Sequence, residues 1–245
     1  MSKDVVAVFV KNLIPGTVKT RLAKDLGMDL AMEVYKELVG ITAQATDFVK
    51  VDKCVYYSEY VELEDQFDDE KYNKHIQEGK ELGQRMQNAF YDAFEAGYDK
   101  MILIGSDVPD ISSEIIEAGF KQLDKNDIVI GPSEDGGFYL IGMKIAHENL
   151  LSHQNYGHDE VLENLLEEVE SRDLSVARLK ELIDIDTQED MKKAGIEIVF
   201  EDKIWIVDLI NHTVRDQKEL ILFETKSFNI LNTYNLQMDY FIDCL

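Results

Sequence analysis

Apolar residues along this chain follow two rhythms. Short unbroken runs at 5–10, 54–57, 101–104, 128–130 and 138–141 are each closed by polar or glycine-rich sequence. Runs of that length, apolar on both faces, read as strands buried between two layers. Between them the spacing turns helical. A helix is expected from about Thr17 to Gly27. Leu30, Val34, Leu38, Thr42 and Ala45, flanked by Ala31, Tyr35 and Val39, mark a second. Leu82, Met86, Ala89, Phe90, Ala93 and Phe94 line one side of a third over 81–96, stopped at Gly97. Further helices are expected over 113–123, with Ser112 or Ser113 as N-cap, over 158–170, and over 187–194. Thr187 and Asp190 stand at capping-box spacing, with Asp replacing the usual Glu or Gln. Strands alternating with helices imply βαβ units, hence a mainly parallel sheet covered by helices on both faces.

The last fifty residues break this alternation. Residues 196–210 are rich in Ile, Val and Phe, and Trp205, Phe223, Phe228, Leu231, Tyr234, Tyr240 and Phe241 add bulky groups. We expect 1–195 to be one domain and 196–245 an ordered extension. So many large apolar groups must be buried, against the domain or against a second subunit in a homodimer.

With 245 residues, 45% of them hydrophobic, the chain is long enough for a sizeable core. Its net charge of −24 argues against nucleic acid and anionic membrane surfaces as partners, since both repel a polyanion. Two cysteines, Cys54 and Cys244, stand far apart without metal-ligand spacing, which suits a reducing compartment. With no signal-like N-terminus and no apolar run long enough to span a bilayer, a soluble cytoplasmic protein is expected. The segment 59–70 holds seven acidic residues and no basic one, and reads as a solvated loop.

Three stretches stand out as candidate chemistry. The first is an inversion of charge: residues 1–24 hold Lys3, Lys11, Lys19, Arg21 and Lys24 against Asp4 alone. Lys11, Lys19 and Arg21 flank the loop after the first strand, which enters a helix through Pro15, Gly16 and Thr17. A helix N-terminus with nearby cations suits phosphate, although the GxxxxGK[ST] spacing of a P-loop is absent. The second is Gly105-Ser106-Asp107-Val108-Pro109, directly after an apolar strand. Ligands of open α/β sheets bind outside the carboxyl ends of the strands, so Asp107 is a candidate ligand for Mg²⁺ or Mn²⁺, or else caps a turn. The third is a pair of acidic loops. Asp135, followed by Gly136 and Gly137, could accept from a sugar hydroxyl, act as a base or bind a metal, or simply form a hairpin turn. Asp184 and Asp186, one residue apart, point the same way on extended backbone, and one of them could join Asp107 at a metal. The five histidines make no zinc pattern, and neither GxSxG nor GxGxxG occurs.

In order, Phe9-Val10-Lys11, Pro15-Gly16-x-Val18-Lys19-Thr20-Arg21-Leu22, Gln77-x-Gly79-x-x-Leu82-Gly83-x-Arg85-Met86, Gly105-Ser106-Asp107-x-Pro109, Gly131-Pro132-x-x-Asp135-Gly136-Gly137-Phe138 and Asp184-x-Asp186-Thr187-x-x-Asp190 resemble the bacterial GT-A-like glycosyltransferases of the rSAM/selenodomain-associated type. The resemblance spans about residues 4–194. It implies a three-layer α/β/α fold of the nucleotide-diphospho-sugar transferase class with a mainly parallel, mixed sheet. It is also similar to molybdenum-cofactor and phospholactate guanylyltransferases. By this resemblance Lys11, Gly16, Lys19, Arg21 and Arg85 face the nucleotide phosphates, and Asp107 and Asp186 hold Mg²⁺ or Mn²⁺. Asp107 and Asp135 are then catalytic, while Gly136 and Gly137 line the donor or acceptor side. The expected reaction is sugar transfer from a nucleotide-sugar donor to a small-molecule acceptor. Nucleotidyl transfer from a nucleoside triphosphate is the alternative, and a regulatory protein that binds nucleotide without turnover is a third. Tyr156-Gly157-His158-Asp159 departs from the family, which has tryptophan and a small hydroxyl residue after the glycine position, and 196–245 lies beyond its pattern.

Overall fold

The structure, a computed structural model, describes residues 3–152, 154, 156–157, 159–201 and 204–208. It divides at Ala194/Gly195 into two compact units. The first opens with β1 (Asp4–Val10), α1 (Thr20–Leu26), α2 (Met28–Asp47), β2 (Asp52–Tyr57), β3 (Tyr72–Ile76), α3 (Leu82–Glu95) and β4 (Lys100–Ile104). It continues with α4 (Ser113–Leu123), β5 (Ile128–Pro132), β6 (Phe138–Met143), α5 (Val161–Ser171), β7 (Val176–Arg178) and α6 (Gln188–Lys193).

The seven strands form one sheet in the order β3-β2-β1-β4-β6-β5-β7. β1 runs parallel to β2 and β4, β2 to β3, and β5 to β7, while β6 is antiparallel to both β4 and β5. The sheet is therefore mixed and mainly parallel, with helices against it: an α/β fold of the GT-A-like class. Alternate residues of the central strands feed two cores, as the period-2 geometry of a strand requires. Val5, Ala7 and Phe9 join Met101 and Leu103 beneath α3 and α5, through Met86, Phe90, Leu165 and Val169. The opposite face carries α2 and α4, where Gly119 lets α4 approach Ile102: a Cβ there would lie 2.8 Å from its side chain.

From β1 the chain winds outward to β2 and β3, then returns to β4 on the other side of β1. In open α/β sheets ligands bind at such a switch, beyond the carboxyl ends of the strands, here those of β1 and β4. It is this edge that carries the candidate residues.

Several elements differ from their expected bounds. The first helix starts at Thr20, not Thr17, because Ile14–Thr17 closes a turn in which the Thr17 amide donates to Ile14 O at 3.1 Å and Gly16 takes φ +81°. The helix expected from His158 begins at Val161, and residue 158 itself lies outside the described residues. β3 and β7 are edge strands that apolar runs do not announce. The acidic stretch 59–70 is not simply a solvated loop. Phe67 is buried, edge-on to Tyr72, and Asp65 accepts from the Tyr57 hydroxyl and pairs with the buried Lys74 ammonium at 2.9 Å.

In the second unit, β8 (Glu197–Glu201) and β9 (Ile204–Asp208) form an antiparallel hairpin. The expected burial of Phe223, Phe228, Leu231, Tyr234, Tyr240 and Phe241, and a homodimer made through them, lie outside the described residues. Among the described residues, no helix is long and apolar enough to cross a membrane.

Candidate active site

The loop leaving β1 is tied down by its backbone. The Lys11 amide donates to the Tyr35 hydroxyl at 2.9 Å, and that hydroxyl lies 3.0 Å from Ser106 Oγ. Tyr35, buried on α2, thus joins the loop after β1 to the loop after β4. Burial pushes its phenol pKa up, which keeps it neutral. Next along the chain, the buried Asn12 carboxamide accepts from the Glu59 amide at 2.9 Å and donates to Tyr60 O at 2.9 Å. These bonds fasten the same loop to the end of β2.

Lys19 follows as the N-cap of α1, in a left-handed conformation with φ 44° and ψ 43°. This sends its side chain inward. Nζ lies 3.3 Å from Asp107 Oδ2 and 3.2 Å from Asp186 Oδ1, and the side chain is only 5% exposed. Burial alone would lower its pKa, but the Asp107 and Asp186 charges outweigh burial and hold the ammonium above its ordinary value. Arg21 Nη1 lies 3.6 Å from Asp186 Oδ2 with its side chain largely in solvent.

Asp107 arrives from β4 through Gly105, whose amide donates to Tyr139 O at 2.9 Å, so its approach is held by the neighbouring strand. Asp184 and Asp186 arrive from the other side of the sheet. After β7 the chain keeps following β5: Leu179 N donates to Ile130 O, Leu182 N to Pro132 O, and the Tyr139 hydroxyl to Lys180 O. Tyr139 can reach that carbonyl because its ring lies over Gly131, where a Cβ would come within 2.4 Å of it. The Ile185 amide then donates to Asp107 O at 3.0 Å, locking the two acidic loops together. Asp186 is fixed by the helix that follows. Thr187 Oγ1 accepts from the Asp190 amide at 3.2 Å, and Asp190 Oδ2 accepts from the Thr187 amide at 2.8 Å. This is a full capping box made with aspartate.

The outcome is three carboxylates, Asp107, Asp184 and Asp186, each offering an oxygen within 4.8 Å of the others. Asp184 bears the cost of this crowding. Burial first, and then the charges of Asp135, Asp107 and Asp186, push its pKa up to about 7. Asp135 is outside the three-carboxylate group. It is exposed at the β5–β6 turn, where its Oδ1 accepts from Ser133 Oγ and from the Gly137 amide at 2.9 Å. Gly136 sits in that turn at φ +85°, pressed against the backbone before α5.

The remaining candidates are dispersed. The Lys11 side chain is exposed. Arg85 donates to Gly79 O at 3.1 Å and to Gln77 Oε1 at 3.4 Å, and Gln77 in turn donates to Val10 O at 3.2 Å. Arg85 therefore belongs to the same edge through β1, without joining the carboxylates. Gly16 serves the turn before Lys19. Asp107 and Asp186, expected together at a metal, do lie together, and Asp184 lies with them. Tyr35 and Ser106 support the loops around it without any sequence signal that assigns them that part. Helical spacing showed Tyr35 only as an apolar position.

A parallel-to-mixed sheet, a switch point at β1 and acidic loops converging beyond β4 define the GT-A-like nucleotide-diphospho-sugar transferase fold. The chain is similar to the crystal structure of a proposed nucleotide-diphospho-sugar transferase from Desulfovibrio desulfuricans G20, with 31% identity, 76% of this chain and 84% of that chain covered, and a TM-score of 0.70. The protein belongs to that family, and its residues 41–158 match the family model described as "Uncharacterized protein conserved in bacteria (DUF2064)". More distant is a cytidylyltransferase from Leptospira borgpetersenii, at 14% identity over 78% and 84% of the two chains and a TM-score of 0.49. Glucosyl-3-phosphoglycerate synthase from Mycobacterium tuberculosis, solved with Mn²⁺ and uridine diphosphate, is at 12% identity over 85% and 87%, with a TM-score of 0.46. No curated protein matches the chain.

Proposed function

We propose that this protein is a metal-dependent glycosyltransferase of the rSAM/selenodomain-associated type, which moves a sugar from a nucleotide-diphosphate donor to a small-molecule acceptor. The observation that carries this reading is the meeting of Asp107, Asp184, Asp186 and Lys19 at the carboxyl edge of the sheet. Three carboxylates that each offer an oxygen within 4.8 Å of the others suit a hard divalent cation, Mg²⁺ or Mn²⁺. The donor class is supported by the relative with 31% identity.

When bound, the cation would supply positive charge beside the donor diphosphate, where negative charge grows as the nucleotide leaves. The protein's residues do the rest. Tyr35 and Ser106 hold the two loops at fixed separation, and the capping box of α6 fixes the exit of Asp186. Lys19 and the exposed Arg21 add charge for phosphate oxygens, Arg21 as a fork and Lys19 as a point charge. Lys11, Gly16 and Arg85 complete the phosphate side in this reading. Asp135, oriented by Ser133 and Gly137, stands on the side of the transferred sugar or the acceptor with Gly136 and Gly137. The transferase domain spans 1–195, with 196–245 as a C-terminal extension, in a cytoplasmic enzyme.

The test is product analysis with Asp107→Asn as the blank. This substitution keeps the shape but removes a charge that a hard cation prefers. We expect the variant to remain folded and to lose Mn²⁺-dependent stabilisation by nucleotide sugars in a thermal-shift screen. In the wild type, mass spectrometry should show nucleoside diphosphate released from a nucleotide sugar and no pyrophosphate. Metal-dependent pyrophosphate release from a nucleoside triphosphate, with nucleotide sugars untouched, would replace this reading by nucleotidyl transfer.

A further inference from the structure

Lys19 stands where the proposed cation's charge would be felt most. Its ammonium contacts Asp107 at 3.3 Å and Asp186 at 3.2 Å, two of the three carboxylates that would serve as ligands. The contact is built into the backbone. Lys19 takes φ 44°, a left-handed conformation that side chains other than Asn and Asp seldom adopt. Its ammonium is 5.9 Å from the Tyr35 ring centroid, and Tyr35 is itself fixed by the Lys11 amide and Ser106. A divalent ion seated on the same oxygens would face this ammonium at close range, and like charges at such separations repel strongly when partly buried. Both cannot hold Asp107 and Asp186 on equal terms. A lysine, however, is a point charge on a flexible four-carbon stem and can swing to a new partner.

Resting on the metal reading above, we propose that Lys19 is an internal counter-ion that occupies Asp107 and Asp186 until a phosphate group arrives. The phosphates of the nucleotide draw the ammonium away, and the released carboxylates accept the divalent cation. Metal and nucleotide then enter together, and the empty site is guarded against a free cation. The neighbouring Arg21 cannot do this, since its side chain is 67% exposed and solvent screens its pairing with Asp186.

Mn²⁺ binding to the full-length chain, followed by electron paramagnetic resonance of the free ion, tests the idea without any turnover. Wild type, Lys19→Gln and Lys19→Arg would be titrated with Mn²⁺ alone and then with inorganic pyrophosphate present. We expect Lys19→Gln to bind Mn²⁺ alone about tenfold more tightly than wild type, because one repelling charge is gone. Lys19→Arg, which keeps the charge, should stay weak, and adding Asp107→Asn to Lys19→Gln should abolish the gain. Pyrophosphate should raise the Mn²⁺ affinity of wild type more than that of Lys19→Gln. Lys19→Met, which keeps the stem and loses the charge, replaces Lys19→Gln if circular dichroism shows the latter unfolded, with the same tenfold gain expected. Equal Mn²⁺ affinities in wild type and the neutral variants would overturn the counter-ion while leaving the metal site standing. No Mn²⁺ binding by any of the proteins, with or without pyrophosphate, would overturn both.

Discussion

Asp184 concentrates the electrostatic problem of the edge in one side chain. Its carboxyl has a native pKa of about 7 against an ordinary 3.8, first through burial and then through Asp135, Asp107 and Asp186. A group with a raised native pKa holds its proton in the folded state across that window, so the folded state binds more protons than the unfolded state does. Stability is then greatest below pH 4 as far as this group is concerned and falls as pH rises through about 7. We expect the metal-free protein to lose thermal stability between about pH 5 and about pH 7.5, and Asp184→Asn to flatten that slope. Melting curves of the two proteins across the window decide it, and parallel slopes would show that Asp184 is not strained. The spacing of Asp184 and Asp186 was enough to read both acids onto one side of an extended segment. The inward turn of Lys19 was not legible. It depends on the sign of one backbone angle, and nothing in a lysine codes for a positive φ.

Among the elements, the β5–β6 turn shows how one glycine serves both fold and site. A Cβ at Gly136 would lie 1.9 Å from Asp159 O, and the Gly136 carbonyl accepts from the Leu162 amide at 2.9 Å. The obstacle is backbone, so it cannot rotate out of the way, and φ +85° adds strain for any side chain. Gly136→Ala should therefore destabilise the protein by roughly 2–4 kcal/mol in urea unfolding, the upper part of the range for single substitutions. Gly97→Ala is the control. It has a similar φ of +84° but open space around its Cβ, so it should cost only about 1 kcal/mol. Equal losses would mean that the Asp159 contact relaxes. The elements themselves differ in legibility for a physical reason. The central strands are buried on both faces and show as unbroken apolar runs. β3 and β7 lie at the sheet's edges, where polar residues are tolerated, and Asn73, Lys74 and His75 or the three residues of β7 carry no run to detect.

For the molecule as a whole, the charge of −24 sets the field in which the site works. Such a field draws divalent cations toward the protein and repels free nucleotides, so the two proposed ligands should respond to salt in opposite ways. The residues near the site add only a local inversion: Lys11, Lys19 and Arg21 follow β1 at this edge, with Lys19 already committed to Asp107 and Asp186. Raising the ionic strength from about 0.01 M to about 0.15 M shortens the screening length from roughly 30 Å to roughly 8 Å. Over that range distant acidic residues stop contributing, while the three carboxylates within 4.8 Å of one another still act. Mn²⁺ affinity, measured by calorimetry, should therefore fall as salt is raised and then level off. Nucleotide sugar added together with Mn²⁺ should associate faster in the higher salt, because the long-range repulsion is screened. Mn²⁺ affinity independent of salt from the start would mean that the local carboxylates alone govern the ion and that the protein's large negative charge serves solubility rather than this site.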